Sequence, residues 1–338
     1  MLFFGPLSDK YGRKPPLIAG ISVYTAASFL SGFVDGIYPL IVLRALQGFG
    51  AASSMVIAMA ITKDRFAGSE RQRVLAYMGI IMALAPMSAP VLGGFIMTWL
   101  SWHWIFFAQT LLGLLSLAGV IFMDEPLKNP SRGTLLAAMG MYFEHFRNNR
   151  YMSVVLLFSL IVWAPFSFIG SAKDIYITQF GLTPQVFGYF FAYNAVALMA
   201  GSFACSQAHS RLSSEALMTI SFFGMFVGGI VLHLGFIQGP WGFAVPMSIV
   251  SFFFGLGRPP SNHLVLEQVK QGVGAASSLM VFFFFMLGAI ATWFISLGWE
   301  NTILIIARLA IITNLLAFVG GLVLFYGKDS RLSEAGEH

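Results

Sequence analysis

Long apolar runs separated by short polar joints make up most of the chain, and each run is about as long as a membrane-crossing helix. Such a helix needs roughly 20 mostly apolar residues to cross about 30 Å of hydrocarbon. Runs of that kind fall at 16–34, 39–61, 74–98, 104–123, 152–172, 185–207, 215–235, 241–259, 273–297 and 303–326. Several joints are only turns: Asp35–Gly36, Ser101–Trp102, Gln238–Gly239–Pro240 and Glu300–Asn301. One joint is long, 124–151, and carries Asp124, Glu125, Lys128, Arg132, Glu144, Arg147 and Arg150. The pattern predicts an all-α membrane protein of two helix bundles. The first covers 1–123, the linker 124–151, the second bundle 152–326 and a polar tail 327–338.

Within the linker, Leu135, Leu136, Met139, Tyr142, Phe143 and Phe146 recur at near-helical spacing. They predict an amphipathic helix lying on the inner membrane face, with a partner-binding helix as the alternative.

Composition supports the membrane reading. Of 338 residues 57% are hydrophobic and 10% charged, against about 25% charged in soluble domains; the mean hydropathy is +0.80. A soluble enzyme, a disordered chain and a nucleic-acid binder are excluded. The formal net charge of +5 comes from basic residues in the joints, and the one cysteine, Cys205, permits no internal disulfide.

The basic residues orient the chain. Joints 8–16, 62–73, 124–151, 208–214, 258–272 and the tail hold 16 of the 19 Lys and Arg. The opposite joints hold only Lys173, while Arg44 and Arg308 lie inside spans. The positive-inside rule makes the basic side, and the C-terminus with it, cytoplasmic. The seven apolar residues before the first basic joint rise only about 10 Å as helix, too little to cross. They read as the end of a span, with a further span and a half expected outside this sequence.

The first joint reads Gly5-Pro6-Leu7-Ser8-Asp9-Lys10-Tyr11-Gly12-Arg13-Lys14-Pro15-Pro16-Leu17. It resembles the G-x-L-x-D-x-x-G-R-K-x-x-L signature between helices two and three of the major facilitator superfamily. Arg44-Ala45-Leu46-Gln47-Gly48-Phe49-Gly50 is similar to that family's helix-four motif R-x-x-Q-G-x-G. Pro86, Pro90, Gly93 and Gly94 fit its helix-five motif, which marks drug:proton antiporters, with Ala89 in place of the first glycine. Together with Asp64 and Trp102–Phe106, the chain most resembles the Bcr/CflA-type multidrug efflux transporters.

The resemblance implies a major facilitator fold without its first helix and most of its second. It implies a cytoplasmic gating loop of Gly5, Asp9, Gly12, Arg13, Lys14 and Asp64. Arg13 is expected to pair with Asp64, and Asp9 to face the N-terminus of span 273–297 near Gln271–Gly274, where free N–H groups carry partial positive charge. Arg44 and Gln47 are implied in the cavity or in proton coupling, with snorkelling to the outer interface the alternative for Arg44. Arg308 reads as a snorkelling or packing residue. Asp174 is a cavity or coupling candidate, or half of an interfacial ion pair with Lys173. Asn194 beside Tyr193 offers either a cavity contact or an interhelical hydrogen bond. Two prolines in one span predict a kinked helix, whose glycine face in this family restricts leak.

The expected function is proton-coupled efflux of small drug-like molecules by alternating access across a bacterial inner membrane. Trp163, Phe166, Tyr193 and Phe282–Phe285 are placed to line an apolar cavity for flat, lipophilic cations. Within the expected spans the one acidic residue is Glu215, at the very start of its span, and Asp174 falls just past the end of another; in the resembled subfamily an acidic residue sits in the first helix. No catalytic, metal-ligand or nucleotide-binding pattern occurs, so neither an enzyme nor a cofactor is expected and the proton gradient is the driving force. Protons, the lipid bilayer and small molecules are the expected partners, nucleic acid is not, and a monomer is expected. A metabolite exporter of the same fold and a non-functional truncated fragment are the alternatives.

Overall fold

A computed structural model describes residues 2–66, 68–127, 135–209, 211–269 and 273–327. The described residues are helical throughout, apart from turns and caps. They fall into two compact units, residues 1–85 with 92–144, and residues 86–91 with 145–338.

In the first unit α1 (Phe4–Tyr11), α2 (Lys14–Ser31), α3 (Ile37–Arg65) and α5 (His103–Phe122) pack together, α2 against both α3 and α5. The apolar start of the chain is part of this core: Phe4 is buried with Leu17, Ile21, Ala52 and Ile57. α2 begins with Lys14-Pro15-Pro16, where the missing proline N–H groups go unneeded in a first turn. Further along it, Thr25, Ser28 and Ser31 donate to the carbonyls of Ile21, Tyr24 and Ala27 four residues back. That satisfies the hydroxyls inside an apolar bundle. α4 (Gly68–Trp99) runs as one helix through Pro86 and Pro90, and its residues 86–91 group with the second unit. α6 (Leu135–Arg147) occupies the expected amphipathic stretch, with the Tyr142 hydroxyl donating to the Leu2 carbonyl at 3.0 Å.

In the second unit α7 (Asn149–Ser159) passes through a 3-10 turn into α8 (Trp163–Lys173) and ends in a π-helical turn, Asp174–Gln179. α9 (Pro184–Ala208), α10 (Ser214–Leu234), α11 (Pro240–Glu267), α12 (Val273–Ile295) and α13 (Thr302–Tyr326) complete it. α11 packs on α9 and α10, α10 on α13, and α8 on α12. The approach of α9 to α11 is backbone to backbone. A Cβ at Gly201 would overlap the Phe252 carbonyl, and one at Gly255 the Leu198 carbonyl. Without water between helices, such small-residue contacts supply the attraction.

Eight of the described helical stretches are long and apolar enough to cross a membrane: 37–65, 103–122, 149–179, 184–208, 214–234, 240–267, 275–295 and 302–326. The other two expected spans fall on α2 and α4, outside that group. α2 opens on Lys14 and two prolines and carries a run of Ser and Thr, and the side chains of α4 are described only in part.

The expected joint 258–272 is largely helical, since α11 continues to Glu267 with Pro259 and Pro260 inside it. Proline removes the N–H that would bond the carbonyl four residues back. For Pro259 that carbonyl is Gly255, which takes the Ser202 hydroxyl of α9 instead, at 3.1 Å. The helix therefore survives, and Arg258 lies nine residues inside its end.

Candidate functional site

The first joint folds as a charge clasp built around Arg13. Its Nε donates to Asp64 Oδ2 at 2.7 Å, and one Nη donates to both Ser8 Oγ, at 2.8 Å, and Asp9. Ser8 in turn donates to the Gly5 carbonyl at 2.9 Å. The guanidinium is nearly buried, with 8% of its side chain exposed. Burial opposes its charge, but hydrogen bonds and the charges of Asp64 and Asp9 outweigh that and raise its pKa above the ordinary arginine value.

The Arg13–Asp64 pair expected from the sequence is formed. Asp9 also binds Arg13. Of the expected seat of Asp9, Gln271 and Gly272 lie outside the described residues.

Glu125 completes the clasp, and no motif marks it. Its Oε1 accepts the Arg13 backbone N–H at 2.7 Å and its Oε2 the Lys14 N–H at 2.9 Å. Lys14 Nζ reaches the Ile121 carbonyl at 2.7 Å. The carboxylate thus fills the unsatisfied donors at the start of α2, where negative charge is favoured. Burial acts to raise the Glu125 pKa, but the N–H groups of Lys14, Arg13 and Leu127 and the Arg13 charge carry it below the usual value. Gly12 makes room: its φ is +91°, and a Cβ there would stand 2.8 Å from Glu125 Oε2.

A second polar set lies within the helices of the first unit. Arg44 donates to Gln47 Oε1, and Gln47 Nε2 donates to Ser28 Oγ and Gln109 Oε1, both at 2.6 Å. Gln47 is 3% exposed. Arg44 also lies 5.8 Å from the Phe106 ring, so its guanidinium turns along its own helix to Gln47 and an aromatic face. Ser28 and Gln109 belong to this set although the sequence did not single them out. Their signal is placement, one on α2, which packs on α3, and one on α5, which packs on α2.

In the second unit Asn194 is buried and accepts from Ser251 Oγ at 3.1 Å, the interhelical hydrogen bond that sequence left as one of two options. Tyr193 lies 3.4 Å from Ser248 Oγ and 5.6 Å, ring to ring, from Trp241. Asp174 is exposed and accepts from Gln179 at 3.4 Å. The expected Lys173–Asp174 ion pair is not among those formed by the described residues. A π-helical turn begins at Asp174 and directs its carboxylate along the chain to Gln179. Arg308 is exposed. Of the helix-five motif, Pro90 and Val91 sit against α9: a Cβ at Gly188 would come within 3.2 Å of the Pro90 carbonyl and Val91 Cα. Gly94 is buried and Gly93 half-buried, and the Pro86 side chain lies outside the described set. Among the expected aromatics, Phe166 meets Phe284 and Phe285 edge-on at 5.6 and 6.1 Å. Phe166, Phe285 and Trp293 border a groove of about 570 Å³ between α8 and α12.

The sequence profile of the Major Facilitator Superfamily matches residues 1–292. Among curated relatives, a bicyclomycin resistance protein homolog of Haemophilus influenzae is 28% identical over 303 residues, 86% of this chain and 74% of its own length. Multidrug resistance protein MdtL of Klebsiella pneumoniae is 28% identical over 82% of this chain and 70% of its own. Chloramphenicol resistance protein CraA of Acinetobacter baumannii is 27% identical over 84% and 71%. The crystal structure of a D-xylose–proton symporter superposes with a TM-score of 0.71 at 14% identity, covering 96% of this chain and 82% of the other. With its motif joint folded as a clasp and its apolar helices in place, the chain belongs to the major facilitator superfamily and is a multi-pass membrane transporter whose relatives include drug-resistance proteins of the Bcr/CflA type.

Proposed function

We propose that the chain exports small drug-like molecules across a bacterial inner membrane, by alternating access and in exchange for protons, with its C-terminus in the cytoplasm. The observation that carries this reading is the alignment of more than four fifths of the chain with relatives named for resistance to bicyclomycin, to chloramphenicol and to several drugs. In this reading the Arg13 clasp is the cytoplasmic latch. Arg44, Gln47, Asp174 and Asn194 serve the cavity or proton coupling, the helix-five segment limits leak, and the protein acts as a monomer.

The test uses everted membrane vesicles holding an acid interior and a fluorescent pH reporter. Chloramphenicol added outside is expected to draw protons out of the vesicles and to enter them, and cells expressing the chain are expected to survive more of the drug. Inserted protein that neither moves protons nor protects cells overturns the reading. Protection against a sugar or amino-acid derivative in place of drugs would favour the metabolite exporter.

A further inference from the structure

The Arg258 guanidinium has no hydrogen-bond or ion-pair partner among the described residues; only its backbone carbonyl is engaged, by the Ser261 hydroxyl at 2.8 Å. Its guanidinium carbon lies 3.9 Å from the centre of the Phe284 ring. Phe284 is itself flanked by Phe254, stacked at 6.2 Å, and by Phe166, edge-on at 5.6 Å. The residue is half-buried, and the Phe284 ring takes one face of its guanidinium.

Its depth makes the missing partner informative. Arg258 is nine residues from the end of α11 at Glu267, about 14 Å of helix, and Phe284 is eleven residues from the start of α12 at Val273, about 16 Å. Only residues 268–272 join these two helix ends, so they lie side by side. Phe284 is the middle residue of α12, and Arg258 lies about 7 Å of helix past the middle of α11, so the guanidinium resting on the Phe284 ring lies near mid-helix, at the depth where transporters of this kind hold substrate. A charge there is costly, persists where it faces a cavity or a partner, and marks a functional position. Snorkelling to the interface would turn the guanidinium away from Phe284, and the structure does not show that.

We propose that Arg258 and Phe284 form the anion-holding end of a substrate site, which takes a small molecule carrying a carboxylate on a flat apolar body. The proposal rests on the transport reading and narrows its substrate class, away from the flat cations suggested by the aromatic content. The planar guanidinium offers two parallel N–H donors to a carboxylate. Phe284, Phe254 and Phe166 supply apolar and edge-on contact for the attached ring system.

The test measures equilibrium binding of radiolabelled 2-naphthoate and its neutral isostere 2-naphthamide to the purified full chain in phosphatidylcholine nanodiscs. The wild type is expected to bind the carboxylate at least about tenfold tighter, as a charge-assisted pair implies. Arg258→Gln is expected to bring the two ligands to equal affinity by weakening naphthoate alone, and Arg258→Lys to keep a reduced preference. Equal binding by the wild type, or an unchanged preference in either variant, overturns the site. If Arg258→Gln does not fold, Arg258→Lys decides alone. Chloramphenicol exchange in vesicles is scored separately: its absence overturns the efflux reading while selective naphthoate binding still establishes the site.

Discussion

Glu125 accepts the backbone N–H of Arg13 at 2.7 Å across 112 positions of chain. One carboxylate after α5 thereby holds the first turn of α2 while the side chain of Arg13 is turned the other way, onto Asp9 and Asp64. The first joint is fixed from two directions at one residue.

Replacing Glu125 with Gln is expected to lower thermal stability in detergent, toward the lower end of about 0.3–1 kcal/mol because solvent screens an exposed carboxylate. The pH dependence has a definite sign. The folded carboxyl titrates below its ordinary value of 4.5, so its contribution is full above that value and is lost as pH falls through the lower folded one. Melting curves of wild type and Glu125→Gln are expected to differ at neutral pH and to converge in acid. A gap that widens in acid would show that the carboxylate acts otherwise.

Gly12→Ala adds a methyl where φ is +91° and where Glu125 Oε2 stands 2.8 Å away. Both effects oppose it, and a cost of about 1–3 kcal/mol is expected from the backbone alone. Paired with Glu125→Ala, which clears the space, the variant should recover the crowding part of the loss and keep the backbone part. Thermal unfolding of the two variants separates them.

Asp9→Asn weakens one of two carboxylates on Arg13 and leaves Asp64 in place. Transport is expected to fall while insertion and expression stay normal. Vesicle exchange at matched protein levels checks this, and an unchanged rate would remove Asp9 from the latch.

Gln47→Leu unpairs Arg44 and Gln109, which lose their acceptor and donor, and leaves Ser28 only its bond to the Tyr24 carbonyl. An unpaired buried polar group costs about 1–3 kcal/mol, and with Arg44 exposed and Gln109 half-buried the loss is expected at the low end. The variant is expected to melt earlier and to transport more slowly. Gln109→Leu, at the rim of the same set, should do less of both.

Gly201→Ala is the smallest change that puts an atom into the Phe252 carbonyl. Overpacking of a close interface typically costs about 1–3 kcal/mol, and the loss is expected in melting temperature. Gly48, whose Cβ would meet nothing within 4 Å, serves as the control: Gly48→Ala should leave the melting temperature nearly unchanged.

The sequence carried the helices because they are local statements, and the Arg13–Asp64 pair, 51 positions apart, because the family resemblance implied it. Twenty apolar residues announce a helix wherever they fall, and a fixed motif brings its own spacing. Glu125 and Gln109 were not legible, since each acts across a packing contact that no periodicity records. The run of α11 through Pro259 and Pro260 was not legible either. Consecutive prolines usually end a helix, because they orphan carbonyls one turn back. Inside a bundle the carbonyl of Gly255 is met by Ser202 of a neighbouring helix, and the stop signal is overruled.

The carbonyls of Phe252 and Leu198 occupy the places where side chains would be at Gly201 and Gly255. Two helices meshed in this way cannot slide along each other: one step of register, about 1.5 Å, would drive each oxygen into the next residue's Cβ. α9 and α11 therefore behave mechanically as a single plank. Any working stroke of this protein must bend, tilt or carry that plank whole, and the compliance it needs has to come from other helix pairs.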